Sequence, residues 1–161
     1  MCQGFDPARR HLLTGRRLGT PPPWADPERL HDLCTRCGAC ERACPEGIVI
    51  ASEGALPAID FHRGECTFCG ACAEACPLPI FDRRGLPWAI RAAIGERCLT
   101  LRRVVCQSCA DACPTGAIRF APVARSAPRP RVDLDACTGC GACVAGCPTA
   151  AITLREPAAH A

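Results

Sequence analysis

The sequence predicts a small α+β fold in which short strands and short helices recur in four units that pair two by two with pseudo-symmetry. Three observations carry this. First, the 161 residues include 17 Cys, 16 Pro and 14 Gly but only two Trp, five Phe and no Tyr. The 48% hydrophobic fraction counts every cysteine, so the stock for an ordinary core is thin and cross-links or metal must help hold the chain. Second, Cys-x2-Cys-x3-Cys triplets open at Cys37, Cys69, Cys106 and Cys140, an internal repeat with a period of supersecondary size. Third, each unit closes with Cys-Pro-x-x and then an apolar run: Ile48-Val49-Ile50, Pro79-Ile80-Phe81, Ala117-Ile118-Arg119-Phe120 and Ala151-Ile152-Thr153-Leu154. Such runs read as short strands. Alternating segments also enter two units, Pro57 to Phe61 before Cys66 and Arg131 to Leu134 before Cys137.

Apart from Cys2, the cysteines form four sets of four. They are Cys34, Cys37, Cys40 and Cys44; Cys66, Cys69, Cys72 and Cys76; Cys98, Cys106, Cys109 and Cys113; and Cys137, Cys140, Cys143 and Cys147. Three sets read Cys-x2-Cys-x2-Cys-x3-Cys, and in all four a proline follows the last cysteine, at Pro45, Pro77, Pro114 and Pro148. This is the bacterial run that ligates a 4Fe-4S cluster. Three closely spaced thiolates on a tight turn wrap three corners of a cubane. Gly38-Ala39, Gly70-Ala71 and Gly141-Ala142 fill the second gap, where the chain passes close to the cluster and a positive φ is expected. The fourth cysteine leaves on a helical turn that the proline ends, and in two-cluster proteins it ligates the other cluster. The expected sets are therefore Cys34, Cys37, Cys40 with Cys76, and Cys66, Cys69, Cys72 with Cys44. A disulfide framework fits poorly with an odd cysteine count and crowded triplets. Zinc ribbons use two Cys-x2-Cys pairs with no third cysteine and no Cys-Pro ending.

The third unit is irregular. Regular spacing would place its first ligand at Arg103, whereas the nearest upstream thiol is Cys98. Either the loop Leu99 to Val105 bulges and Cys98 still ligates, or Cys98 is a buried free thiol and the unit lacks a complete cluster. The spacing logic favours a ligand, giving four clusters; an empty unit would leave three.

The expected organisation is a basic N-terminal arm over 1–33, a first two-cluster unit over 34–82, a connector over 83–97, a second unit over 98–156 and a tail over 157–161. Trp88 to Gly95 is expected as a short helix ended by its glycine. Residues 121–131, rich in proline and arginine, are expected as an extended linker or surface loop. The arm contains Arg9, Arg10, Arg16 and Arg17, with Pro21-Pro22-Pro23-Trp24 marking a break.

Every one of the 19 basic residues is Arg, so the chain has no lysine for a P-loop, a Schiff base or a kinase site. No second cofactor motif or substrate site is visible, which points to an electron carrier or accessory protein with no catalytic residues. The net charge of +3 gives no argument for nucleic acid, and His11, His31, His62 and His160 are scattered, with none assigned to metal. No apolar stretch is long enough to insert into a membrane. The arginine pairs near the start lack the apolar region of an export signal, so a soluble cytoplasmic protein is expected.

The chain resembles one family, the NapF-type ferredoxins encoded with the periplasmic nitrate reductase. The resemblance rests on Ala8-Arg9-Arg10-His11-Leu12-Leu13-Thr14-Gly15-Arg16, on Pro22-Pro23-Trp24, on the regular cysteine runs, and on the irregular Cys98/Cys106/Cys109/Cys113 unit. It implies a ferredoxin-like fold and a cytoplasmic iron-sulfur protein. It also implies a partner, the catalytic subunit of the periplasmic nitrate reductase, which the family is thought to help mature before export. The alternatives are an electron-wire subunit (a polyferredoxin) of a larger oxidoreductase complex and a scaffold whose clusters do not turn over.

Overall fold

A computed structural model describes residues 19–52 and 54–157. Arg9, Arg10, Arg16 and Arg17 of the expected arm, together with Cys2, lie outside these residues.

The described chain opens on helix α1 (Pro27–Leu33). Asp26 caps it, its carboxylate accepting from the N–H groups of Glu28 at 2.9 Å and Arg29 at 3.0 Å, and Pro27 occupies the first turn, where no donor is needed. Helix α2 (Ala39–Ala43), strands β1 (Val49–Ala51) and β2 (Pro57–Ile59), and helix α3 (Ala71–Glu74) complete the first half. The second half contains β3 (Arg91–Ile94), a 3-10 turn at Thr100–Arg102, α4 (Ser108–Asp111), β4 (Ile118–Val123), β5 (Ser126–Val132), α5 (Ala142–Ala145) and β6 (Ile152–Arg155).

The strands form three two-stranded antiparallel sheets, β1-β2, β3-β6 and β4-β5. Val49 pairs with Ile59, Ile94 with Ile152, and Ile118 with Val132. Strands this short supply few ladder bonds, and two-stranded sheets are marginal on their own. Packing therefore falls to a shared core in which Ile48, Val49, Ile59, Phe61, Ala92, Ala117, Ile118, Val144 and Ile152 lie among Cys72, Cys109, Cys137 and Cys143. Cysteine is here a structural part of the interior, as the thin aliphatic composition requires.

Four expectations are corrected. Trp88 to Gly95 is not helical: residues 91–94 are β3. Its Ala-Ile-Arg-Ala-Ala-Ile pattern suits either period, and the demand of β6 for an edge partner, with Ala92 buried, decides for the strand. Residues 121–131 are no loose linker but most of the β4-β5 hairpin, which turns at Ala124-Arg125 and has a register irregularity between Ala121 and Val123. Pro122, Pro128 and Pro130 are tolerated because each strand of a two-stranded sheet has a free edge. Residues 19–33 are not part of a free arm. Pro22 and Leu30 are buried, Trp24 donates its backbone N–H to the carbonyl of Pro87 at 2.6 Å, and Asp26 donates its own to that of Ile80 at 3.0 Å. The expected strand at Pro79 to Phe81 shrinks to a single bridge, Phe81 to Ala25.

Candidate metal centres

Each regular cysteine run folds as a tight loop leading into a short helix. The glycine of its second gap caps that helix in the left-handed region, with φ of 69° at Gly38, 82° at Gly70 and 88° at Gly141. The expected positive φ is thus present in all three. The first gap contributes a second left-handed residue that the sequence did not announce: Arg36, Phe68 and Gly139. A loop with two left-handed residues among five coils tightly enough to turn three thiols inward.

Four cavities result, and each is lined by four of the sixteen cysteines. Cys34, Cys37, Cys40 and Cys76 line the first, closed by Leu30, Ile50 and Ile80. Cys44, Cys66, Cys69 and Cys72 line the second, against Ile48 and Ile59. Cys98, Cys106, Cys109 and Cys147 line the third, against Ile94 and Ile152. Cys113, Cys137, Cys140 and Cys143 line the fourth, beneath Ile118 and Leu154. In every set three cysteines come from one run and the fourth from the other run of the same half.

The irregular unit builds its loop by different means. Cys98 is buried at the start of a 3-10 turn, where its carbonyl accepts from the N–H of Arg102. The turn ends at Arg103, with φ 67°. The buried Thr100 hydroxyl donates to the carbonyl of Cys106 at 2.8 Å, fixing the bulge against the triplet. Arg103, where regular spacing would require a ligand, is exposed. The space at this cavity, its open mouth included, is about 320 Å³, close to the 330 and 290 Å³ of the second and fourth. The bulge therefore preserves the size of the site while moving its first thiol five residues upstream.

The thiols sit in contrasting environments. Burial, reinforced by neighbouring thiols, pushes Cys66 up to about 11 and Cys72 to about 12, and likewise Cys109 to about 11 and Cys143 to about 12. Cys37 lies below the usual thiol value because the N–H of Ala39 and then the hydroxyl of Thr35 donate to it. Burial opposes ionisation of Cys113 and Cys147, yet both end below the usual value. The Thr115 hydroxyl and nearby N–H groups favour the Cys113 thiolate, and the N–H groups of Ala151 and Thr149 favour that of Cys147. The Ala151 N–H donates to Cys147 Sγ at 3.2 Å. Thr115 Oγ1 lies 3.6 Å from Cys113 Sγ, and Thr149 Oγ1 lies 3.8 Å from Cys147 Sγ. The signal for both was a Cys-Pro-Thr sequence, absent from the first half, where Glu46 and Leu78 occupy that place.

A junction between the halves also escaped sequence reasoning. Cys66 donates its N–H to the carbonyl of Cys140 at 2.8 Å, and the nearby Cys140 thiol adds to the upward push on Cys66. An edge-to-face aromatic chain crosses the same boundary, with Phe68 against Trp88 and Trp88 against Phe61, both at 5.7 Å between ring centroids. Trp88 Nε1 donates to the carbonyl of Thr138 at 3.1 Å, beside Cys137. Cys72 feels Cys40, and Cys143 feels Cys109. The cavities therefore follow one another in the order first, second, fourth, third, with the irregular one at an end.

The donor sets discriminate between possible occupants. All sixteen described cysteines are free thiols, which removes the disulfide framework. Among the described residues no three His, Cys, Asp or Glu side chains converge as ligands of a single ion. One zinc ion at bonds of about 2.3 Å would draw its thiolates together around one point. A cubane carries each thiolate on a separate iron and spreads them more widely, so four thiols around one apolar cavity fit a 4Fe-4S cluster and not a lone ion. The described residues include no helix long and apolar enough to cross a membrane.

Comparison with known proteins agrees with this chemistry. Residues 33–80 and 102–151 each match a family described as a 4Fe-4S dicluster domain, and the second match begins beyond Cys98. The ferredoxin-type protein NapF of Haemophilus influenzae is 47% identical over 141 residues, covering 86% of this chain and 80% of that protein. The protein of the same name from Escherichia coli (strain K12) is 41% identical over 163 residues, covering 97% and 99%. One subunit of an ion-translocating oxidoreductase complex from Methanosarcina acetivorans is 34% identical over 128 residues, but only 47% of that subunit is covered. Its similarity is to a part. With cysteine-lined cavities in two dicluster domains and near-complete alignment to NapF proteins, the chain is an iron-sulfur protein and belongs to the NapF-type ferredoxin family.

Proposed function

We propose that the chain holds four 4Fe-4S clusters in two pseudo-symmetric pairs. In this reading it serves in the cytoplasm as an electron-transferring accessory protein that assists maturation of the periplasmic nitrate reductase catalytic subunit before export. The observation that carries the cluster assignment is the division of the sixteen cysteines among four cavities, each with one crossed set of four. The ligands are then Cys34, Cys37, Cys40 and Cys76; Cys44, Cys66, Cys69 and Cys72; Cys98, Cys106, Cys109 and Cys147; and Cys113, Cys137, Cys140 and Cys143. Bound there, each cluster supplies a one-electron centre. The protein's contribution is to hold the thiolates, exclude water with the apolar lining and tune charge through N–H and hydroxyl donors. The partner follows from the family alone, since the NapF name belongs to the nitrate reductase system. The two-cluster units are then 34–82 and 98–156, with the connector 83–97 supplying β3 to the second and residues 19–33 tied to Ile80 and Pro87.

The electron-wire reading has one observation in its favour, the linear succession of the four cavities through the Cys66 and Cys140 contact. An anaerobic pull-down separates the two. Capture of the cytoplasmic precursor of the nitrate reductase catalytic subunit by the cluster-loaded chain supports the accessory role, and weakening on deletion of residues 1–18 or at raised salt implicates the arginine-rich segment. Absence of capture under every condition favours the wire.

A further inference from the structure

Charge is distributed very unevenly along the second half. Between residues 99 and 132 stand six arginines and a single acid, Asp111. In the first half Arg29, Arg63, Arg83 and Arg84 each pair with a nearby carboxylate. Arg102, Arg103, Arg119, Arg125, Arg129 and Arg131 are all exposed. None of them makes an ion pair or a side-chain hydrogen bond among the described residues. The neighbouring Asp133 forms no ion pair with them; its carboxylate accepts from the N–H groups of Asp135 and Ala136.

The hairpin register concentrates this charge. Arg119 stands directly opposite Arg131, and Ala121 opposite Arg129, so the three arginines share one face while Ile118 and Phe120 turn to the core. Like charges placed directly across a ladder destabilise it. No ion pair among the described residues offsets that repulsion, so an external anionic partner is the natural compensation. The 3-10 turn of the irregular unit packs on β5, and its bulge exposes Leu101, Val104 and Val105, with Val105 71% exposed. An apolar strip beside unpaired arginines suits a protein face with an apolar centre and an acidic rim. No aromatic side chain stands among the exposed residues of this surface to stack on bases, as single-stranded nucleic acid would require. The bulge is flanked by Leu99 and Cys106, which line the cavity of Cys98, Cys106, Cys109 and Cys147, the terminal one of the four.

We propose that the bulge Leu101–Val105 and the arginine face of the β4-β5 hairpin form a docking surface for an acidic protein partner, held beside the irregular centre. This rests on the reading of the chain as an iron-sulfur protein with a protein partner, and not on which partner that is.

The test uses the cluster-loaded full chain under anaerobic conditions and two immobilised probes, the nitrate reductase catalytic precursor and an acidic flavodoxin. Arg119→Glu, Arg129→Glu and Arg131→Glu are combined in one variant, and Leu101→Ser with Val105→Ser in a second; iron content is measured in each to establish that the sites are intact. The charge variant is expected to lose about tenfold or more in capture and most of its salt dependence. The apolar variant is expected to lose capture while keeping the salt dependence. Loss toward both probes, or toward flavodoxin alone when the precursor is not captured at all, supports the surface; the latter result refutes the proposed partner while leaving the surface standing. Undiminished capture of the charge variant overturns the proposal, as does failure of the wild-type chain to capture either probe. Tighter binding to duplex DNA, to anionic vesicles or to a second copy of this chain overturns it as well.

Discussion

At the scale of single residues, the sharpest consequences concern which thiol serves which centre. Cys98 lines the irregular cavity from a 3-10 turn, so Cys98→Ser should lower iron from about 16 to about 12 atoms per chain, four per cluster, leaving the other centres intact. Unchanged iron would exclude it as a ligand. Cys44 belongs to the first run yet lines the cavity of Cys66, Cys69 and Cys72. Cys44→Ser should therefore alter the spectroscopic signature of that second centre first, and a change confined to the centre of Cys34, Cys37 and Cys40 would refute the crossing. Thr149 and Ser108 set hydroxyls near the sulfurs of Cys147 and Cys106. A donor to sulfur stabilises the more negative, reduced cluster, so Thr149→Val should lower the potential of the irregular centre. One net hydrogen bond of about 0.5–1.5 kcal/mol corresponds to roughly 20–65 mV for one electron. Redox titration followed by electron paramagnetic resonance reads the shift, and a rise or no change would remove Thr149 from the tuning set.

At the scale of elements, the cysteine loops were legible because ligand spacing, small residues and a closing proline are local properties. Gly38, Gly70 and Gly141 could be assigned a positive φ from their place in the run alone. The strand β3 could not be read, because Arg91 to Ile94 carries no period of its own and takes its conformation from β6, which lies about sixty residues later in sequence. The β4-β5 hairpin was hidden by its prolines, which mark loops except where a strand has a free edge. The bulge of the irregular unit was foreseen, but its Thr100 tie to Cys106 was not, since a lone threonine has many ordinary uses. Gly141 shows how element and site are joined. Its φ is 88°, and a Cβ there would enter the ring of Phe61, the residue that meets Trp88 edge to face across the boundary between the halves. Gly141→Ala combines left-handed strain with overpacking, together about 3 kcal/mol, and should lower the thermal midpoint of the loaded protein by roughly 6–12 °C. Gly116, also at positive φ, meets nothing within 4 Å, so Gly116→Ala carries only the strain and should fall clearly less. Equal losses would show that the Phe61 contact is not rigid.

At the scale of the whole molecule, the clusters and the core are parts of one system, because the deepest thiols belong to both. Cys66, Cys72, Cys109 and Cys143 each pack in or against the interior, and without iron burial holds them protonated, with values of about 11 to 12. Iron binds the thiolate, so loading must expel these protons, and protons compete with iron throughout the range below 11. The sign follows directly. Each raised thiol favours the cluster-free folded form below the ordinary value of 9.0, and that contribution is lost as pH climbs through 11 to 12. Cluster loading has the opposite trend, gaining with pH across the whole neutral range because each unit of pH lowers the cost of every proton expelled by about 1.4 kcal/mol. Anaerobic reconstitution in a pH-stat should therefore release protons in proportion to iron bound, after subtraction of those carried by the sulfide, and iron per chain at limiting supply should rise from pH 6 to pH 9. Cys37, Cys113 and Cys147, whose N–H and hydroxyl donors already favour the thiolate, should contribute less than the buried four. Replacing Cys72 by Ser should thus remove more of the pH dependence than replacing Cys37 by Ser, although each takes one ligand from one centre. Equal losses from the two variants, or loading indifferent to pH, would mean that the thiols are not held protonated by the fold and that cluster and core form independently.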